Sequence, residues 1–191
     1  FMILRMGLEL AWGALKELID TGLDDAQVEA IRKTLLATPG VRGLHELRTR
    51  RMAHQALVDA HVLVDARISV SEGHRIAESA RAGVLREHHD VLDVLVHIDP
   101  EDDLDPDLAA AGLPSREALL EELADLLVTL PTPEHVVLHY LGGRVEVEVF
   151  LAHDVFSDIS ALRSTEAALA ERIKDHPAIR SISLNFRIAP E

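Results

Sequence analysis

Cysteine is absent from the 191 residues. Disulfides and thiolate metal sites are thereby excluded, and cysteine usage says nothing about the redox compartment. A transition metal bound by this chain must be held by His, Asp or Glu. Aromatic residues make up 3%, so any core has to be assembled from Leu, Val, Ile and Ala. No apolar run reaches the roughly 18 residues of a membrane span. The opening Phe1-Met2-Ile3-Leu4-Arg5-Met6-Gly7-Leu8 is apolar but short. It lacks the cleavage pattern of a signal peptide and reads as a chain cut just after something hydrophobic. Positive charge is scarce as well: 19 Lys and Arg stand against 33 Asp and Glu, a net charge of −14 with His neutral. Such a surface repels phosphates and anionic lipid heads, so cations are the expected partners and nucleic acid is not.

What the chain does have is 48% hydrophobic residues and 11 histidines. Leu4, Leu8, Ala11, Leu15 and Leu18 recur at helical spacing over residues 1 to about 20, with Trp12 among them. Two readings of that helix stand. It is an amphipathic helix packed on its own domain, or the end of a membrane helix with Trp12 near the headgroups. Thr21-Gly22-Leu23 breaks it, and Asp24 and Asp25 suit the start of a second helix with Val28, Ile31, Leu35 and Leu36 as its stripe. Pro39-Gly40 ends that helix.

Strands are expected near 41–50 and 56–65. In the second, Val58, Ala60, Val62 and Val64 alternate with Asp59, His61, Leu63 and Asp65. Ser69-Val70-Ser71-Glu72 is a capping box opening a helix to about His88. A third strand over 91–98 has Leu92, Val94, Val96 and Ile98 on one side and Asp93, Leu95 and His97 on the other. The acidic, proline-containing stretch 101–107 reads as a solvated connector. The pattern then repeats, with a leucine-rich helix from Ser115 to about Leu130, a strand from Val136, a Leu141-Gly142-Gly143-Arg144 turn and a strand alternating Val145, Val147 and Val149 with Glu146 and Glu148. A helix over 158–175 and a strand over 182–188 close the chain. The expected fold class is α+β: two tandem α-β-β-α-β units from an internal duplication, each a three-stranded sheet with two helices on one face. The corresponding segments are 1–22, 23–102, a linker at 103–114, and 115–191.

Strand periodicity puts His97 and Asp99 on one face, about 7 Å apart, and gives His61 and Asp65 the same relation. Both histidines oppose the Val/Ile side and therefore line the uncovered face of the sheet. His74 lies off the apolar stripe of its helix, and His45 sits where alternation is less clean. Each of these histidines alone reads as a surface or hydrogen-bonded residue. Four of them with one Asp in one half also make the donor set of a metal site, and spacing does not choose between the two.

The run Pro39-Gly40-Val41-Arg42-Gly43-Leu44-His45-Glu46-Leu47-Arg48-Thr49-Arg50 resembles the signature of the cation diffusion facilitator C-terminal domain. Further family-like runs follow in order: Val58-Asp59-Ala60-His61-Val62, Ser69-Val70-Ser71-Glu72-Gly73-His74 and Val94-Leu95-Val96-His97-Ile98-Asp99-Pro100. Glu17-Leu18-Ile19-Asp20 is similar to the family's link from its last membrane helix. The resemblance covers residues 1 to about 102 and agrees with the α-β-β-α-β pattern. It implies a metal- and dimer-forming tail of a divalent-cation exporter, at the cytoplasmic face of the inner membrane, with a transmembrane domain as further partner and no catalysis. It also implies metal ligands at His45, His61, His74, His97 and Asp99, with Asp99 bridging two ions near a homodimer interface. Zn²⁺ suits such ligands, as do Fe²⁺, Co²⁺, Ni²⁺ and Mn²⁺.

The second half departs from the family pattern. Its expected counterparts of His97 and Asp99 are Arg187 and Ala189, with His139 at the place of His45, and His135, His153 and His176 outside ligand-like positions. It is expected to bind no metal. Two other functions fit parts of the pattern: a binuclear metallohydrolase, against which no ligand-rich loops or general base stand out, and a metal-independent small-molecule sensor.

Overall fold

The computed structural model describes residues 1–18, 22–52, 54–102, 112–128, 130–152, 155 and 159–187. Thr21, most of the acidic connector, His153 and the end of the closing strand from Ile188 to Pro190 lie outside the described residues. The chain divides into two compact units, Phe1–Asp102 and Asp103–Glu191.

The first unit runs α1 (Met2–Leu18), α2 (Asp25–Leu36), β1 (Gly43–Met52), β2 (Gln55–Leu63), α3 (Val70–Glu87) and β3 (Val91–Asp99). No described helix is long and apolar enough to cross a membrane. The apolar residues of α1 are exposed, Ile3, Leu4, Leu8 and Trp12 among them, so the stripe is not buried as a packed helix would bury it. Asp24 and Gln27 form a capping box at the start of α2. Gly40 takes a positive φ of 94° to turn the chain toward β1, a conformation that costs a side chain dearly and glycine little.

The sheet order is β1-β2-β3, with β1 antiparallel and β3 parallel to β2. The parallel pair requires a crossover, which α3 supplies. Ala56, Val58 and Ala60 from β2 and Val94 from β3 meet Ile31 and Leu35 of α2 and Ala80 and Val84 of α3 in one buried cluster. Small residues along α3 let it pack closely, Gly73, Ala77 and Ala80 toward the sheet and Gly83 toward Thr34 of α2. Ser69 caps α3 by accepting from the Glu72 N–H at 3.1 Å. Replacing it with alanine should cost about 1 kcal/mol, measurable as a shift in urea midpoint; an unchanged midpoint would show that the cap contributes nothing.

Two strand expectations are corrected. Residue 92 does not face the core: the β2–β3 ladder slips between Ala56 and Leu57, pairing Val91 and then Asp93, so Leu92 is the extra residue and is 49% exposed. The slip moves the inward positions to Val91 and Val94. The second strand ends at Leu63, so Asp65 does not share a strand face with His61. Asp65 instead pairs with Arg42 and accepts from the Arg67 N–H.

The second unit runs α4 (Arg116–Leu126), β4 (His135–Leu141), β5 (Arg144–Ala152), α5 (Ile159–Ile173) and β6 (Ile179–Arg187). Its helices are shorter than the periodicity predicts, and β6 begins earlier. The sheet order is β4-β5-β6, again antiparallel then parallel. Leu119 and Leu123 of α4 and Leu169 and Ile173 of α5 pack on Val145, Val147 and Val149. Fine details match between the units. The parallel ladder slips at its first step in both. The second residue of the central strand donates to the residue before the last strand in both: Ala56 to Asp90 at 2.7 Å, Val145 to Ala178 at 2.8 Å. A histidine after the second helix reaches the first helix in both: His88 Nε2 to Thr34 Oγ1 at 2.9 Å, His176 Nε2 to Glu122 Oε1 at 2.7 Å. These shared irregularities support one unit copied twice. As the low aromatic content requires, the buried hydrophobic residues among those described are all aliphatic.

Three surface carboxylates are held below their ordinary range. For Asp93 the main cause is the Arg81 guanidinium, at 2.7 and 3.1 Å, followed by the Val94 N–H. For Glu87 it is the Thr34 hydroxyl, and for Glu117 its own backbone N–H, then Ser115. A depressed folded value means these groups stabilise the fold at any pH above the ordinary carboxylate value. That contribution is lost as pH falls through the depressed value, below about pH 4. Urea midpoints should therefore be level from pH 7 to pH 5 and fall toward pH 3. For Asp93→Asn and Glu87→Gln together, the fall should be shallower.

Candidate functional site

The open face of the first sheet is set by strand alternation. Val58, Ala60 and Val62 point into the core, so Asp59 and His61 point away from it. Ladder register then aligns three chemistry-bearing residues in one row across the sheet: Glu46 on β1 opposite His61 on β2, and His61 opposite His97 on β3. The His61 and His97 rings stack, with centroids 4.4 Å apart and planes 13° from parallel. Asp99, one strand step beyond His97, brings Oδ2 within 3.0 Å of His61 Nδ1. An ionised carboxylate can only accept, so Nδ1 is the donor, and in the neutral ring Nε2 then carries the lone pair. Glu46 Oε2 lies 3.9 Å from that Nε2.

His45 owes its place to a β-bulge. The β1–β2 register jumps from Leu44–Val62 to Glu46–His61, leaving His45 as the inserted residue. This is why alternation fails there in the sequence. Its side chain is 5% exposed, and its Nδ1 lies 3.0 Å from Asp102 Oδ1. Its Nε2 is buried without a hydrogen-bond partner. A neutral imidazole fastened at Nδ1 by a carboxylate, with its other nitrogen unspent, is the arrangement in which histidines ligate metals. His61 has it through Asp99, and at His45 the Asp102 carboxylate lies within ion-pair distance of Nδ1.

His74 is elsewhere. It sits near the start of α3, the helix that covers the Val58/Ala60/Val94 side of the sheet, and so lies on an element opposite the His61/His97 row. It is exposed and borders a cavity of about 380 Å³ shared with Asp65, Ser69, Ile98 and Pro100. The expectation that four histidines and one aspartate share the open side therefore holds for His61, His97 and Asp99 and fails for His74. Among the described residues, no three His, Asp or Glu side chains converge as a single metal-holding group. The donor chemistry nevertheless fits a divalent transition metal, since imidazole nitrogens and carboxylate oxygens are adjacent and one buried imidazole nitrogen has no other use. Glu46 was missed by sequence reasoning; its strand partner His61 is the signal that finds it.

Residues 23–101 match the family model described as cation efflux protein, cytoplasmic domain. This segment is similar to the cytoplasmic domain of cation efflux proteins. The chain is 38% identical over 99 residues to metal tolerance protein C1 of Arabidopsis thaliana, an alignment that covers 52% of this chain and 21% of that protein. It is 33% identical over 98 residues to the cation-efflux pump FieF of Pectobacterium atrosepticum, covering 51% of this chain and 32% of that one. The chain thus spans only a fifth to a third of these relatives' length. A solved structure of the MamM CTD is 26% identical, with a TM-score of 0.40, and covers 40% of this chain and 98% of that one.

In the second unit, ladder register corrects the expected equivalences. Counting from the shared slip, Phe150 takes the place of His61, with His135 and Asn185 where Glu46 and His97 stand. Arg187 then falls at the place of Asp99, not of His97 as the chain ends alone imply, and Ala189 lies outside the described residues. His139 pairs with Glu146 and is not the counterpart of His45. The strand-end echo misled by two residues because β6 begins before the run that looks like a strand. His176 is fully engaged: its Nδ1 accepts from the Ala178 and Ile179 N–H groups at 3.1 and 2.9 Å, and its Nε2 meets Glu122.

Proposed function

We propose that this chain is the cytosolic metal-sensing and dimer-forming part of a divalent-cation efflux transporter of the zinc type, at the cytoplasmic face of the membrane. The observation that carries this reading is the His61–Asp99–His97 arrangement beside the half-spent His45. The mechanism is a switch without catalysis. His45, His61, His97 and Asp99 offer donors on or beside one face. Asp99, with one oxygen on His61, keeps a second oxygen for a bridging role. His74, on the opposite side of its own sheet, would serve a site completed by a second copy. The net charge of −14 makes two metal-free chains repel. Each bound Zn²⁺ adds two positive charges near the contact and draws the copies together. The domain would relay this to its own transmembrane part.

Calorimetric titration with Zn²⁺ tests binding, and small-angle scattering with and without Zn²⁺ tests dimerisation. Saturable binding and a metal-tightened dimer are expected; no heat of binding would overturn the reading. Protons compete with metal for imidazole, so affinity should fall steeply below about pH 6.5. A flat affinity from pH 7.5 to pH 5.5 would rule out histidine ligands. The second unit is read as binding no metal, since its register positions hold Phe150 and Asn185 in place of the imidazoles. A chain ending at residue 110 should keep the full metal stoichiometry.

A further inference from the structure

We propose that the second unit is a metal-independent pairing surface for a second copy of this chain, formed on the sheet face that carries His135, Phe150 and Asn185. The inference rests on the first unit being a dimerising domain. Register places these three residues where the first unit has Glu46, His61 and His97. One of only six aromatic rings in the chain stands at the position of the central imidazole. The His135 ring leans against Phe150, with centroids 5.9 Å apart and planes tilted by 45°. A position that offers metal a lone pair in one unit offers apolar area in the other, and apolar area holds copies together without an ion.

Charge on this face supports pairing between identical surfaces. In the first unit the acidic groups Asp59 and Asp99 surround the row. In the second, Glu146 lies 3.1 Å from Nη1 of the permanently charged Arg180, and Glu148 lies 3.3 Å from the His139 imidazole. A face that carries both signs meets its own copy across a two-fold axis without net repulsion. Three polar atoms beneath the same face lack a partner within the unit. His139 Nε2, Arg144 Nε and Asn185 Nδ2 are buried without a hydrogen-bond partner, the His139–Glu148 approach being off the hydrogen-bond angle. All three residues alternate with the core positions and so lie on this face.

The absence of cysteine makes the test clean. In the full chain with EDTA, His135→Cys, at the exposed rim of the face, should give a disulfide-linked dimer under mild oxidation. Glu121→Cys, on the exposed side of α4, should not. Sedimentation equilibrium in EDTA should show the wild-type chain dimeric. Phe150→Glu should weaken that dimer at least tenfold, and Phe150→His, which restores the first unit's residue type and keeps a ring, should weaken it with unchanged circular dichroism. A wild-type chain that is monomeric in EDTA and dimeric only with Zn²⁺ overturns this proposal and leaves the first-unit reading standing. A monomer under both conditions overturns both. An EDTA-resistant dimer that does not cross-link at position 135, or cross-links equally at 121, places the contact elsewhere and overturns the assigned surface.

Discussion

Zn²⁺ binding to the chain should be largely lost when His97 and Asp99 are replaced together by alanine. The two residues act on His61 besides being proposed metal donors. Asp99 fixes the His61 ring through Nδ1, and His97 stacks on that ring. The double variant therefore removes two proposed donors and releases the orientation of a third. Loss of an outer partner of a metal-ligating histidine alone weakens binding ~10–100-fold, so the pair should exceed that range and lower the stoichiometry in calorimetry. Neither residue is in the buried core, so the variant should keep the wild-type urea midpoint to within about 1 kcal/mol. Unchanged stoichiometry would remove both residues from the site. His45→Ala gives an independent check. It deletes a buried imidazole whose Nε2 has no partner in the fold, so affinity should fall with only a modest change in stability.

The second large effect concerns the turn that feeds the site. Gly40→Ala should destabilise the first unit by about 2–5 kcal/mol. Part of that is backbone: at φ +94° an L side chain costs about 1–2 kcal/mol. The rest is steric, because a Cβ at this point would lie 2.6 Å from Ile76 Cδ1 and 2.8 Å from Cγ1, and overpacking of this kind costs about 1–3 kcal/mol. The two parts separate in a double-mutant cycle. Ile76→Ala removes the clash but not the dihedral cost, so adding it to Gly40→Ala should recover the steric share and give strongly non-additive energies. Urea denaturation reads the cycle, and additive costs would show that the clash is relieved by a shift of Ile76. The turn delivers the chain to β1, where Arg42 N–H donates to Leu63 O at 2.8 Å shortly before the bulge at His45. Zn²⁺ affinity in Gly40→Ala should therefore fall along with stability.

Much of the architecture is legible in the residues. Period-two alternation in Val58–Val62 and Val145–Val149 identified the central strands and their inward sides, because a strand buried on one face has no other way to place its apolar residues. The capping residues Asp24, Ser69 and Ser115 marked helix starts, since each satisfies a backbone N–H that a first turn leaves bare. The duplication followed from element order alone. The candidate donors were visible as residue types, and His61, His97 and Asp99 as neighbours on one side.

Tertiary structure decided what depends on pairing between strands. Sequence periodicity carries no register between β1, β2 and β3, so the row Glu46–His61–His97 and the Asp99–His61 hydrogen bond exist only once the ladders form. The bulge at His45 and the slip at Leu92 each insert one residue, and a single insertion reverses the facing of everything past it. That is why Leu92 was placed inward, whereas the second unit's equivalences were read two residues out because β6 begins before the run that looks like a strand. His74 shows the same limit in another form. Its helical position was right, but only the packing of α3 against Val58, Ala60 and Val94 put it across the sheet from its proposed co-ligands. Composition and alternation determined which residues could bind a cation and which side of each strand they would take. Ladder register and helix packing, set by contacts between segments far apart in the chain, determined which of them meet.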